Sequence, residues 1–229
     1  MTTLPAAPVS LDKVHSTASR KLYVVFSSTP YRLGSFIRVM TRNEFNHVAI
    51  SLESDLSELY SFARHYRNTP FYGGFVKETI ARYRNRDRIA RIKVCAIDLT
   101  EEQYARAKAH LSEMYRHSDE YLYNMLSAII LPLHRSIRLP NAYTCVEFVT
   151  YFLRLIGVSP KTDPARTYSI RNLEQLLDPA TVYCGEFPHA DSPRLADPFD
   201  RKQTVLAATL LTVTANARLL SMLLRNKIL

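Results

Sequence analysis

Residues 142–149, Ala142-Tyr143-Thr144-Cys145-Val146-Glu147-Phe148-Val149, decide how the chain is read. Thr144 is a good helix N-cap, and Glu147 three residues later completes a capping box. Val146, Val149, Leu153 and Ile156 then recur at helical spacing, and Gly157 with Pro160 closes the helix. The pattern predicts a buried helix over Cys145–Ile156 with the cysteine as its first residue. A sulfur placed there lies beside backbone N–H groups that have no helical partner and at the positive end of the helix dipole. Both favour the thiolate, the form that attacks a carbonyl carbon. The same N–H groups can stabilise a tetrahedral oxyanion. A cysteine inside a helix is otherwise only a small buried hydrophobe. Its N-terminal position sets Cys145 apart from Cys95, which falls mid-strand, and from Cys184, which follows the loop at Pro179.

Outward from this helix, a thiol nucleophile needs a base, and seven histidines compete for the role. His47 opens the strand HVAISLE, where Val48, Ile50 and Leu52 point one way and His47, Ala49 and Ser51 the other. A strand gives a base the rigidity it needs. His110 and His117 fall on the outer half of a charged helix, His15 and His189 in loose segments. His65 and His134, near a strand end and in a loop, are the rivals. The strands His47–Glu53 and Glu58–Arg64 flank a turn at Ser54-Asp55 and read as an antiparallel hairpin. With the turn centred on Ser54, His47 faces Ser61 across the pair, about 5 Å away between Cβ atoms. Ser61 is then the group that bonds the second ring nitrogen.

The rest of the chain supplies strands first and helices afterwards, an α+β order. Residues 1–19 read as a loose arm, Lys21–Ser27 as a strand, Gly34–Thr41 as a short helix and residues 89–99 as another strand. Thr100 to Gln103 is a capping box opening a helix to about Arg116, with Tyr104, Ala107, Leu111 and Met114 inward. A second helix is expected over Tyr121–Leu131, stopped by Pro132. Prolines at 160, 164, 179, 188, 193 and 198 suggest a meandering cover. The expected division is an arm (1–19), a domain (20–200) and an amphipathic C-terminal helix (201–229).

Composition narrows the class. Three cysteines without a CxxC pair argue against a disulfide framework and a zinc site, and no cofactor is expected. The N-terminus has no apolar h-region, and no uninterrupted run of about 18 apolar residues exists, so a reducing cytoplasm is the expected compartment. The net charge of +9 favours an anionic ligand or surface without identifying a specific nucleic acid. Between Arg82 and Lys93, arginines at 82, 84, 86 and 88 alternate, which puts them on one face of an extended segment. That face is either solvated or an anion-attracting rim. In the tail, Leu206, Leu210, Val213, Ala217, Leu220 and Leu224 form one helical stripe. The expectation is that it packs on the domain or on a second copy of the chain, with an interfacial helix peripheral to a membrane left open.

The segments NHVAISLE (46–53), LYSFAR (59–64), PFYGGFV (70–76) and AYTCVEFV (142–149), in that order, resemble the permuted, YiiX-type branch of the NlpC/P60 superfamily. The resemblance spans roughly residues 20–180. It implies a papain-like fold, circularly permuted, in which the histidine strand precedes the cysteine helix. By resemblance Cys145 is the nucleophile, His47 the base and Ser61 the third, polar position, with Tyr143, Arg64, Gly73 and Gly74 near the substrate. Gly73-Gly74 read otherwise as relief for a tight turn. The implied activity is hydrolysis of an amide or ester through a thioester on Cys145. The substrate would be a small molecule, a peptide or a lipid-derived acyl group. Acyl transfer and a silent binding module for acidic ligands are the alternatives.

Overall fold

The β-branched and aromatic run Lys21–Ser27 becomes the middle of the sheet, and residues Leu22–Ser27 are buried. The computed structural model describes residues 20–30, 43–79, 82–85, 88–133, 135–158, 161–163, 166–188 and 197–228. The expected arm at 1–19, the helix at Gly34–Thr41 and His134 lie outside these residues.

The strands are β1 (Arg20–Ser28), β2 (His47–Ser51), β3 (Leu59–Arg64), β4 (Gly73–Glu78), β5 (Arg84–Asn85), β6 (Arg88–Ile89), β7 (Arg91–Leu99), β8 (Leu122–Tyr123), β9 (Ala142–Tyr143) and β10 (Thr181–Glu186). Six of them make one antiparallel sheet in the order β10-β7-β1-β2-β3-β4. The helices are α1 (Glu101–Arg116), α2 (Met125–Ile130), α3 (Cys145–Ile156), α4 (Ile170–Leu177) and α5 (Val205–Ile228). The architecture is α+β, a mostly antiparallel sheet packed with helices.

Period-2 alternation sorts the strand residues onto two faces. On one face Val24, Phe26, Val48, Ile50, Phe62 and Phe75 meet α1, α3 and α4 in the main core. On the other, Tyr23, Val25, Ala49, Leu59, Ile92 and Val94 are covered by Tyr83, Ala90 and Phe187. Helix α3 is the keystone of the first layer, with Phe148, Val149, Phe152, Leu153 and Ile156 buried against β2 and β3. Each such side chain contributes about 1.5–3 kcal/mol on burial. Thr144 and Glu147 form the expected capping box, and Gly157 ends the helix at φ +72°, a left-handed cap that suits glycine. The α1 capping box and its buried face Ala107, Leu111 and Met114 also form as read.

Three expectations are corrected. The helix expected over Tyr121–Leu131 begins only at Met125, because Leu122 and Tyr123 pair in parallel with Ala142 and Tyr143 as strands β8 and β9. Asn124, whose Oδ1 accepts from the Ser127 N–H, caps the shorter helix. The proline-rich cover contains α4 and β10, and β10 completes the sheet edge beside β7. His110 is not on a solvated face, since its ring packs 5.8 Å from Tyr151 and 6.1 Å from Phe152 between centroids.

Candidate active site

The end of the sheet where β2 begins lies beside the N-terminus of α3. This follows from the packing of α3 on β2 and β3, with the apolar stripe of the helix setting its axis and the capping box setting where it starts. Cys145 is 5% exposed there, and its thiol is among the groups that raise the pKa of the His47 ring. The first-turn N–H groups of Cys145 and Val146 have no partner within the helix, while that of Glu147 goes to Thr144 Oγ1 at 3.3 Å. The oxyanion of a carbonyl group attacked by this sulfur would meet those donors.

His47 has a second partner that sequence reasoning missed. Its Nε2 lies 2.6 Å from Oε1 of Glu78, the last residue of β4, which leaves Nδ1 for the sulfur. The His47 side chain is 13% exposed and that of Glu78 1%. Burial alone would lower the imidazole pKa. The Glu78 charge and the hydrogen bonds from Cys145 and Glu78 outweigh it and raise the pKa from 6.5 to about 10. Glu78 shifts the opposite way. Burial would raise it, yet the charge and hydrogen bond of His47, with Arg82 and Ser61, hold it at about 2. The two groups form a buried imidazolium–carboxylate pair at neutral pH.

Ser61 is corrected from its expected role: its hydroxyl donates to Glu78 Oε1, not to His47. The reason is register. Ile50 pairs with Tyr60, so His47 falls level with Ala63, two residues beyond the expected partner. A two-residue slip keeps the same face, so Ser61 still points toward the site but one step along the strand. Glu78 belongs to β4, two strands from β2, and stands opposite Leu59, whereas His47 is level with Ala63. Its long carboxylate reaches back to His47 past Ser61, whose small side chain leaves room for it. Tyr83 donates to the other carboxylate oxygen and is itself clamped by stacking on Phe187, with 4.4 Å between ring centroids. Both Glu78 oxygens are therefore held. One sequence signal was available: Gly74, Val76 and Glu78 alternate on one face of β4, and an acid on the inward face of a strand calls for a partner.

Upstream, Asn46 fixes the entry to β2. Its Nδ2 donates to Thr29 Oγ1, and its Oδ1 accepts from the Thr29 N–H, each at 2.8 Å. A cleft of about 250 Å³ opens here, and its walls include Cys145, His47, Glu78 and Asn46. Phe71, Tyr123, Met125, Ile129 and Phe199 make much of the remaining wall apolar.

The four expected substrate positions divide. Arg64 and Gly73 line the cleft; Gly74 and Tyr143 do not. Tyr143 instead stacks on Tyr151 and meets Phe62 edge-on, each at 5.3 Å between centroids. The glycine pair does not relieve a turn. It opens β4, where a Cβ on Gly73 would collide with the Ala63 carbonyl and one on Gly74 with the Tyr121 carbonyl. Of the alternating arginines, Arg86 lies outside the described residues, and Arg82 and Arg88 do not share one exposed face. Arg82 is buried in the cleft wall against Asp197, 3.4 Å away, and donates to the Arg64 carbonyl at 2.6 Å. Arg88 is exposed.

Among the rival bases, burial and then Arg82 push His65 down to about 4, and it does not line the cleft. Cys95 is buried in the sheet core, where burial raises its pKa, and Cys184 lies exposed on β10. Among the described residues no group of three His, Cys, Asp or Glu side chains comes together to hold a metal ion. No protein-family model, curated protein or solved structure matches this chain.

Proposed function

We propose that this protein is a thiol hydrolase of the permuted papain-like, NlpC/P60 kind, with Cys145 as nucleophile, His47 as base and acid, and Glu78 as the residue that orients and charges His47. The observation that carries the reading is the imidazole held between the Cys145 thiol and a buried carboxylate inside a cleft. Nucleophile, base and orienting acid in a hydrogen-bonded series are the generalised triad, and their order along the chain is immaterial.

The reaction follows from these positions. Cys145 attacks an amide or ester carbonyl as the thiolate, with the proton on His47. The α3 N-terminal N–H groups take the developing negative charge. Collapse of the tetrahedral intermediate breaks the C–N or C–O bond as His47 protonates the leaving amine or alcohol. Water then attacks the thioester with His47 accepting its proton, which releases the carboxylic acid and regenerates the thiol. An acceptor amine or alcohol in place of that water would give acyl transfer. The largely apolar cleft wall favours acyl groups with hydrocarbon character over highly charged ones.

Alkylation tests the reading without a known substrate. Cys184 is exposed and Cys145 is 5% exposed, so access alone would have iodoacetamide label Cys184 first. Near about pH 6, a thiol activated by an imidazolium reacts ahead of an ordinary one. Faster labelling of Cys145, and its loss in His47→Ala, is the expected result. If Cys184 labels first and His47→Ala changes nothing, Cys145 is a core residue and not a nucleophile. Intact-mass analysis after exposure to cell extract would then give the mass of any acyl group carried on Cys145.

A further inference from the structure

Helix α5 keeps the wrong face outward for a helix whose only task is to cover the domain. Its inward face carries Leu219, buried among Leu122, Leu139 and Ala142, with Ala215, Met222 and Leu223 packed around it. Polar contacts tie down the residue before the helix entry and the middle of the helix. Asn68 Nδ2 donates to the Gln203 carbonyl at 2.7 Å, Asn216 Nδ2 to the Phe71 carbonyl at 3.1 Å, and Arg218 to the carbonyls of Asp119 and Glu120 at 3.3 Å. The stripe Leu206, Leu210, Val213, Ala217, Leu220 and Leu224 was expected to pack. It faces away from the domain, with Leu206 82%, Leu210 62% and Leu220 51% exposed. At 1.5 Å per residue it is about 27 Å long. An apolar patch of that length is unusual on a monomer in water. By length and composition, Val205–Arg225 would even suffice to cross a membrane, although its docked inward face lays it along the domain.

The apolar surface continues to the cleft. Phe71, whose carbonyl accepts from Asn216 of α5, lines the cleft and is 52% exposed. Ile129 also lines it and is 69% exposed, and Met125 joins the cluster beneath α5 to the cleft wall. Charge then selects the occupant. From Pro198 to Ile228 the sequence carries five basic residues (201, 202, 218, 225 and 227) and a single acid, Asp200. A second copy would bring the same cations against these with almost no anion to pair them. A bilayer containing anionic lipid satisfies both the apolar stripe and the cations flanking it.

We propose that α5 and the cleft rim at Phe71 and Ile129 dock on the interface of an anionic membrane, with α5 lying in the plane of the headgroups. Docked in this way, the cleft opens toward the acyl region, and Cys145 takes an ester or amide borne on a lipid. This consequence for the substrate rests on the thiol-hydrolase reading; the docking itself does not.

Flotation of the purified full chain with vesicles tests it. Vesicles of phosphatidylcholine with about 30 mol% phosphatidylglycerol should carry the protein upward, with partitioning at least about tenfold stronger than on phosphatidylcholine alone. The variant Leu206→Gln, Leu210→Gln, Leu220→Gln, Leu224→Gln alters only outward side chains. It should unfold at a similar temperature and stay with the unbound protein. Cys145→Ser should float like the unaltered chain, which separates failure of the docking from failure of the chemistry. The proposal is overturned if the full chain does not float on the anionic vesicles, or if the fourfold variant floats equally well. It is also overturned if the chain is a dimer without vesicle affinity that the fourfold variant converts to a monomer, since a second copy then covers the stripe.

Discussion

Replacing Glu78 by glutamine keeps the shape of the side chain and removes its charge, which makes it the sharpest perturbation of the site. In the intact protein the ordering of influences on His47 is burial downward, then Glu78 upward by charge, then hydrogen bonds from Cys145 and Glu78. With the charge gone, burial is opposed chiefly by the Cys145 bond, so the imidazole should titrate at or below its ordinary 6.5 and no longer near 10. At pH 7.5 the imidazolium fraction would fall from nearly complete to about 9% or less, since a group one unit above its pKa is about one-tenth protonated. Turnover should fall further, by about 10²–10⁴-fold, because both the proton for the leaving group and the imidazole orientation are lost. The assay needs no substrate: the ring carbon and nitrogen signals of His47, followed by NMR from pH 4 to 11, report its protonation directly. A downward displacement of several pH units in Glu78→Gln is expected. Titration of His47 near 6.5 in the unaltered protein would refute the account. So would a midpoint that stays near 10 after the substitution, since the charge of Glu78 would then not be what holds the proton.

Ser61→Ala should cost roughly tenfold or less in turnover, the worth of one net hydrogen bond of about 0.5–1.5 kcal/mol. Ser61→Asn should be more damaging than Ser61→Ala, because its bulk occupies the path Glu78 takes to His47; the reverse order in kcat/KM would contradict the geometry. Stability should follow the buried pair. The His47 contribution is complete below 6.5 and lost as pH rises through about 10, and the Glu78 contribution is complete above 4.5 and lost as pH falls through about 2. The difference in Tm between the unaltered chain and His47→Gln, Glu78→Gln should therefore be greatest between about pH 4.5 and 6.5, and a difference independent of pH would count against the pair. A chain ending at Asp200 should stay folded and become more soluble. It should lose about 1.5–3 kcal/mol from Leu219 and some from its neighbours, a Tm decrease on the order of 5–10 °C. Outright unfolding by circular dichroism would place α5 in the indispensable core.

Local chemistry was legible wherever it is written in neighbouring residues. The capping boxes at Thr100 and Thr144, the left-handed cap at Gly157 and the apolar periodicity between them specify α1 and α3 through contacts no more than four residues apart. They also put Cys145 at a helix N-terminus before any tertiary contact is known. Alternation along β2 and β3 was equally visible, and with it the face on which His47 and Ser61 lie. The element Leu122–Tyr123 was not visible, because its partner Ala142–Tyr143 is 20 residues away and parallel pairing leaves no local pattern.

What only the tertiary structure decided is which groups share the site. Register between β2 and β3 rests on the whole buried face, and a slip of two residues preserves alternation while moving His47 from Ser61 to Ala63. Glu78 comes from a strand two places away in the sheet, and nothing within 30 residues of His47 announces it. The stripe on α5 shows the same division. Amphipathic spacing established that a face exists, but burial against Leu122, Leu139 and Ala142 chose the opposite face for the domain and left the leucine stripe outward. Helical periodicity is a property of the segment alone, whereas the choice between its faces is a property of the surface that the segment meets.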